Sequence, residues 1–252
     1  MDSKSEKLLL VTGASRGIGA AVARRAAREG WRVVVNYRRD DDAASAVVQG
    51  IERDGGRALA LKGDVAREED VLGLFGEIDR RYGRLDGLVN NAGIVGRLGR
   101  LDEIDAADLK RVFEVNTIGA FLCAREAVRR MSTRKGGRGG AIVNMSSGAA
   151  TIGSAGEFVH YAASKAALHA MTLGLAKEVA REGIRVNTVE PGLVETDMHA
   201  AIGGVARTER LMATIAMGRA AAAPEIADPV LYLLSEASSY VTGAVLRVAG
   251  GR

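Results

Sequence analysis

Cysteine is nearly absent. Cys123 is the single one in 252 residues, so no internal disulfide can form and a reducing cytoplasm is the expected home. The lone thiol reads most simply as a buried apolar residue. Histidine is scarce as well: His160, His169 and His199 lack metal-ligand spacing, and no metal site is expected. Long apolar runs are missing too. Met1 to Lys7 is polar and the run that follows is only four residues long, which fits neither a signal peptide nor a membrane span. A massed positive stripe is the last absence. The net charge is +4, yet the arginines are scattered, which reads as a solvated basic surface and not as a nucleic-acid footprint. No internal repeat or domain boundary interrupts the chain, so one domain over 1–252 is expected, with 1–7 a flexible N-terminus.

What is present is concentrated near the start. Leu8-Leu9-Leu10-Val11 is an apolar run that stops at Thr12-Gly13-Ala14-Ser15-Arg16-Gly17-Ile18-Gly19, and Ala20 to Glu29 follows before Gly30. This predicts a buried strand, a glycine turn and a helix. Glycines let an anion approach the backbone closely, and the helix N-terminus offers free N–H groups, so a pyrophosphate is the natural occupant. The spacing is G-x-x-x-G-x-G and not G-x-G-x-x-G, so on this stretch alone a plain structural turn remains open.

The rest of the chain repeats that unit. Arg32 to Tyr37 reads as a second strand, a helix runs from about Asp41 to Arg53, and Ala58 to Leu61 leads into Gly63-Asp64-Val65. Glu68 to Tyr82 carries a helical apolar stripe, and Leu85 to Val89 runs into Asn90-Asn91-Ala92-Gly93. Strand and helix alternating in this way argue for a parallel, doubly wound sheet, whose ligands sit beyond the C-terminal strand ends. Leu101 to Met131 is expected to be mostly helical, with Asn116 and Cys123 inside it. Ala141 to Met145 should be a strand ending in Ser146-Ser147, and Ile184 to Val189 another, running into Glu190-Pro191-Gly192. Val194 to Ala223 has no clean period and reads as a mobile lid. A helix from Pro224 to Leu234 and a strand from Ala244 to Val248 complete the pattern.

Tyr161 and Lys165 stand four residues apart on one expected helix and share a face. A free tyrosine titrates near ~10, too high for efficient proton exchange at neutral pH, and a nearby ammonium lowers that value. Tyr161 is therefore a candidate acid/base for an alcohol–carbonyl interconversion. Ser147, at a strand end, can hold a carbonyl oxygen by hydrogen bond. Of the two serines the second is assigned, because the loop side of the strand end is where a substrate must lie.

Together the glycine turn, Asp64-Val65, Asn90-Asn91-Ala92-Gly93, Asn116, Ser147, Tyr161-x-x-x-Lys165 and Pro191-Gly192 resemble the short-chain dehydrogenase/reductase family, in the subgroup of about 250 residues. The resemblance implies a single-domain Rossmann fold with seven strands in the order 3-2-1-4-5-6-7, helices on both faces and a nicotinamide cofactor. It implies Tyr161 as acid/base, Ser147 on the substrate oxygen, Lys165 on the nicotinamide ribose while tuning Tyr161, and Asn116 supporting a proton-relay water. It implies cofactor contacts from Gly13, Ser15, Arg16, Gly17, Ile18 and Gly19 at the pyrophosphate. Tyr37 and Arg38 would meet the adenosine ribose, Asp64 and Val65 the adenine, and Asn90, Ala92 and Gly93 the adenosine-side backbone. Tyr161, Lys165, Pro191, Gly192, Val194 and Thr196 would complete the nicotinamide end.

NADP is expected over NAD. Arg16 lies in the turn and Arg38 at the tip of strand two, and neither 36 nor 37 is acidic; the competing reading pairs Arg38 and Arg39 with Asp40, Asp41 or Asp42. Two stretches, Phe158 to Lys165 and Glu236 to Gly243, look like glucose 1-dehydrogenases of this family, so a secondary alcohol or sugar hydroxyl is the expected small-molecule substrate. A 3-oxoacyl-acyl-carrier-protein reductase is the alternative, and a non-catalytic dinucleotide sensor the alternative from another class. Met198, His199, Met212 and Met217 suggest a mixed or apolar substrate wall. Ala249 departs from the aspartate that relatives often carry before the final glycines, and Arg252 ends the chain without an assigned role. His160 reads as packing beside the tyrosine. The alanines at 162, 163, 166, 167 and 170 permit close helix packing, and the resemblance implies a homotetramer using that helix.

Overall fold

The computed structural model describes residues 6–196 and 209–252. Met198 and His199 therefore lie outside the described residues, as does the 197–208 stretch of the expected lid. One seven-stranded sheet runs in the order β3-β2-β1-β4-β5-β6-β7. Its members are β1 (Leu8–Val11), β2 (Arg32–Tyr37), β3 (Arg57–Lys62), β4 (Gly87–Asn90), β5 (Gly140–Met145), β6 (Ile184–Pro191) and β7 (Val245–Val248). Every pairing is parallel, as the alternation of strands and helices requires.

The four residues of β1 are all buried, and their side chains alternate between two cores. Leu9 and Val11 join Val33 and Val35 against α1 (Gly17–Arg28), α2 (Asp41–Arg53) and α8 (Ala223–Leu234). Leu8 and Leu10 join Val34, Leu88 and Ile142 against α3 (Glu68–Tyr82), α5 (Gly119–Met131) and α7 (Val159–Val179). Cys123 sits in this second core, and burial pushes its thiol up to about 12, so it is an inert packing group.

The chain pairs β1 with β2 on one side and with β4 on the other, so the strand order reverses there and a crevice opens at the C-terminal ends. Between β4 and β5 the expected helix is broken into a 3₁₀ turn (Leu101–Glu103), α4 (Ala106–Phe113), a π turn (Glu114–Ile118) and α5. The π turn carries Asn116 and precedes Gly119, where a Cβ would meet the Val65 carbonyl oxygen at 2.9 Å. Glu6 and Lys7, expected within a flexible terminus, are tied down: Glu6 pairs with Arg32 and Arg57, and Lys7 with Glu236. Among the described residues no helix is long and apolar enough to cross a membrane.

Candidate active site

The turn after β1 is shaped by close backbone approach. Gly13 has φ +61°, and a Cβ there would meet Ala92 Cα at 2.8 Å. Gly19 has no room either: its Cβ would lie 2.5 Å from Asn91 Nδ2 and 2.7 Å from the Gly13 carbonyl oxygen. Asn91 fastens the turn by donating from Nδ2 to the carbonyls of Thr12 and Gly13. No side chain caps the N-terminus of α1. Its first N–H groups are therefore offered to an anion and not to the protein.

A cavity of about 800 Å³ opens in front of this turn. Gly13, Ser15, Arg16, Gly17 and Ile18 line it at one end, Tyr37, Arg38, Asp64 and Val65 beside β2 and β3, and Ala92 and Gly93 after β4. Tyr161, Pro191, Gly192, Val194 and Thr196 line the other end. Four expected residues do not line it. Gly19 is buried behind the turn. Asn90 is a core residue, donating from Nδ2 to the Ala120 carbonyl and to Asn144 Oδ1, because the last position of β4 is still covered on both faces. Its neighbour Asn91 lines the cavity in its place. Lys165 and Asn116 lie just beneath the wall. Asn36, Gly63, Ile94 and Arg111 line it without having been singled out from sequence.

Ser147 and Tyr161 sit where this cavity joins a second one of about 240 Å³. The Ser147 hydroxyl stands beside the Tyr161 phenol, close enough to act on its titration, and accepts from the Ala149 N–H at 3.2 Å. Tyr161 is 8% exposed and packs edge-on against Phe158. Burial holds its phenol above the usual tyrosine range, and the neighbouring Ser147 hydroxyl pulls part of the way back. Lys165 is not among the groups that act on this phenol. Lys165 Nζ donates to the Met145 carbonyl oxygen at 2.8 Å, and burial pushes its own value down to about 8. Ser146 donates to the Lys165 carbonyl oxygen at 3.0 Å and lines only the larger cavity, whereas Ser147 lines both.

Asn116 makes three direct hydrogen bonds within the protein. Its side chain bridges to Ile94, accepting from the backbone N at 2.8 Å and donating to the carbonyl oxygen at 2.8 Å. It also donates to Ser164 Oγ at 2.9 Å, and Ser164 in turn donates to the Tyr161 carbonyl oxygen at 2.7 Å. The amide thus locks the loop after β4 to the helix that carries Tyr161. His160 is buried, with Nε2 3.3 Å from Asp108 Oδ2, a packing position beside the site. Of the expected substrate wall, Met217 is 65% exposed, and Leu211 takes the lining position in place of Met212.

At the cofactor rim Arg16 Nη2 lies 3.3 Å from Asp40 Oδ2, and Arg38 Nε 3.4 Å from Asp64 Oδ2. Arg38 therefore pairs with Asp64, not with Asp40, Asp41 or Asp42. Asp41 instead accepts from the Tyr37 hydroxyl and from Lys62. The crevice fits a dinucleotide on its own geometry: glycines that a Cβ would block, an uncapped helix N-terminus and cations at the rim.

A family model described as Enoyl-(Acyl carrier protein) reductase matches residues 13–252. The uncharacterized oxidoreductase YgfF of Escherichia coli K12 is 46% identical over 245 residues, covering 97% of this chain and 99% of that protein. The 3-oxoacyl-[acyl-carrier-protein] reductase FabG of Staphylococcus aureus is 37% identical over 250 residues, with 98% of each chain covered. Among solved structures, a short chain dehydrogenase from Burkholderia cenocepacia J2315 in complex with NADP superposes with a TM-score of 0.89 at 37% identity, covering 97% of both chains.

Proposed function

The chain belongs to the short-chain dehydrogenase/reductase family, and from that premise we propose that it is an NADP(H)-dependent oxidoreductase interconverting a secondary alcohol and a carbonyl, with Tyr161 as acid/base. The observation that carries this reading is the juxtaposition of Ser147 and Tyr161, which together line both cavities where these meet. A nicotinamide bound in the larger cavity supplies the hydride. Gly13, Ser15, Gly17 and Ile18 hold its pyrophosphate, and the rim arginines Arg16 and Arg38 its ribose phosphate. Asp64, Val65, Ala92 and Gly93 shape the adenosine end, and Pro191, Gly192, Val194 and Thr196 the nicotinamide end. The relative solved with NADP supports that choice of cofactor.

In the reductive direction the Ser147 hydroxyl holds the carbonyl oxygen and Tyr161 gives it a proton. The raised phenol suits that direction, because it is fully protonated at neutral pH. Lys165, pushed down to about 8, still carries its charge at neutral pH and steadies the β5 end through the Met145 carbonyl. Asn116 keeps the two halves of the pair's surroundings in register through Ile94 and Ser164.

The walls of the smaller cavity are mixed: Val95, Ile152, Phe158, Leu193 and Leu211 outnumber the polar side chains away from the reacting pair, Ser154, Glu157, Arg247 and Arg252. We therefore rank a small ketone or oxo compound above glucose, and keep the 3-oxoacyl thioester reading because a relative carries that activity in its name. The test is a panel of ketones, aldoses and 3-oxoacyl thioesters with NADPH and NADH, run on the wild type and on Tyr161→Phe. Tyr161→Phe is expected to lower turnover by about 10²–10⁴ while NADPH affinity changes only a few-fold. Full turnover in that variant removes Tyr161 as the acid/base, and silence of the wild type across the panel favours a dinucleotide sensor. Homotetramer formation through α7 belongs to the same proposal, since Ala163, Ala170, Leu173 and Gly174 stand exposed along it; light scattering reads it directly.

A further inference from the structure

The smaller cavity has one wall that the proton-transfer pair does not use. Glu190, the next-to-last residue of β6, is 1% exposed. A carboxylate so deeply placed has to be paired. Thr151 Oγ1 lies 3.2 Å from its Oε1, Arg247 Nη1 lies 3.3 Å from the same oxygen, and His169 Nε2 lies 3.3 Å from Oε2. Arg247 Nη1 also donates to Thr151 Oγ1 at 3.1 Å. One nitrogen of the guanidinium is thereby fixed. Among the described residues Arg247 Nε and Nη2 have no hydrogen-bond partner, although the side chain lines the cavity and is 39% exposed.

The unused edge is the informative one. Nε and Nη2 of one guanidinium present two parallel N–H bonds, the fork that takes both oxygens of a carboxylate. Ala249, the residue just past the end of β7, lines the same cavity and brings no polar side chain to occupy that fork. The cavity's own acid, Glu157, is held by Arg210 Nη2 at 2.6 Å. Thr151 ties the arrangement to the reacting end, since its Oγ1 also lies 3.1 Å from the carbonyl oxygen of Gly148, the residue after Ser147, so that its one proton has either this carbonyl or Glu190 as acceptor. The remaining walls are mixed, with Val95, Ile152, Phe158, Leu193 and Leu211 beside Ser154 and a second arginine, Arg252, and a volume of about 240 Å³ suits a small molecule.

We propose that Arg247 is a specificity-determining residue that receives the carboxylate of a short oxo acid whose carbonyl lies at Ser147 and Tyr161. This rests on the reading of that pair as the carbonyl end. Glu190 offsets the formal charge of Arg247, so the recognition comes from an oriented pair of donors and not from net charge. Glu190 and Thr151 act through Arg247 as positioning residues.

The experiment compares pyruvate, acetoacetate and levulinate with their methyl esters, each reduced with NADPH. For the chain length that fits best, kcat/KM should favour the acid over its ester by about ten- to hundredfold, carried by KM. In Arg247→Gln that ratio should collapse towards one, and Arg247→Lys, which keeps the charge but not the fork, should retain only part of it. Because Arg247→Gln leaves Glu190 short of a partner, Glu190→Gln combined with Arg247→Gln removes both charges at once and should show the same loss of preference. Calorimetric titration of the acid onto the NADP⁺-loaded protein gives a readout that does not need turnover, and binding there should disappear in both variants. Equal handling of acids and esters by the wild type, or a ratio unmoved by Arg247→Gln, overturns the role of Arg247 while leaving the oxidoreductase reading intact. Failure of NADPH to bind the protein without substrate overturns that reading, and this proposal with it.

Discussion

The half of the sheet from β1 to β4 and the half from β5 to β7 contribute to the site with different materials. The first offers main chain: a turn with Gly13 at φ +61° and Gly17 at φ +55°, an uncapped helix N-terminus and the backbone after β4. Its charged side chains stand at the rim, where Arg16 is 59% exposed. The second half offers side chains that are nearly all buried: Tyr161, packed edge-on against Phe158, and Lys165 and Glu190, each held by a named hydrogen-bond partner. A site made of backbone is fixed by sterics and tolerates changes at its rim. One made of buried polar groups is fixed by hydrogen bonds and depends on protonation.

Removing the buried charge of Lys165 is the largest test of that difference. Its folded value of about 8 lies below the ordinary 10.5, so above pH 8 the unfolded chain binds more protons than the folded one. Stability then rises with pH through the window from 8 to 10.5; the cost of burying the ammonium is fully present below 8 and gone above 10.5. That gap corresponds to on the order of 3 kcal/mol. Thermal unfolding of the cofactor-free protein should show Lys165→Met gaining on the wild type below pH 8, with the difference closing as pH rises through the window. A difference that does not change with pH means the ammonium is not desolvated.

The sequence was more legible in the first half, and the reason is physical. Apolar stripes and glycines encode which face is covered and where a helix stops, so α2 over 41–53 and α3 over 68–82 fall where periodicity puts them. Periodicity does not say which partner a polar group will choose. Tyr161 and Lys165 do share a face, yet Lys165 Nζ turns to the Met145 carbonyl, a contact made only when β5 is in place. Asn90 and Asn91 are indistinguishable by type, and only the depth of β4 decides that the first is core and the second lining. The π turn at Asn116 has no local signal, since it answers to the Ile94 backbone 22 positions away. Arg247 sits on an edge strand of alternating exposure, where an arginine reads as surface until Glu190 and Thr151 are brought beneath it.

A Cβ added to the backbone-built half should do harm that no repacking relieves. Gly19→Ala forces a methyl to within 2.5 Å of Asn91 Nδ2, 2.7 Å of the Gly13 carbonyl oxygen and 2.9 Å of Ala14 Cα. Two of those atoms are main chain, so the turn itself must shift. The expected cost is about 1–3 kcal/mol of stability, with NADPH affinity falling in parallel. Gly76→Ala on α3 is the control, because nothing lies within 4 Å of its added methyl, and there a gain of about 0.5–1 kcal/mol is expected. Chemical denaturation and NADPH titration of both variants read the contrast. Equal behaviour of the two would mean that the turn is soft and that the site's first half is not fixed by sterics.

The smallest effect belongs to the rim arginines, and its size follows from what they already touch. The extra phosphate of NADP carries close to two negative charges, which an arginine fork suits. Arg16 and Arg38, however, already face Asp40 at 3.3 Å and Asp64 at 3.4 Å, so a phosphate has to share each cation with a carboxylate. Exposed pairs contribute about 0–1 kcal/mol each, which places the NADPH preference near tenfold and not a hundredfold. Arg38 should matter more than Arg16, since its side chain is 28% exposed against 59%. Arg38→Ala is expected to weaken NADPH about three- to tenfold while sparing NADH, and Arg16→Ala to do less. Asp40→Asn sharpens the comparison: an asparagine still caps α2, where Asp40 accepts from the Ala43 N–H, but it no longer neutralises Arg16, so the preference for NADPH should rise. High salt should erode the wild-type preference, because both cations stand within reach of screening ions. KM for NADPH and NADH, measured at low and high salt in each variant, decides the matter; equal losses for the two cofactors would mean that the arginines serve the pyrophosphate or the fold and not the ribose phosphate.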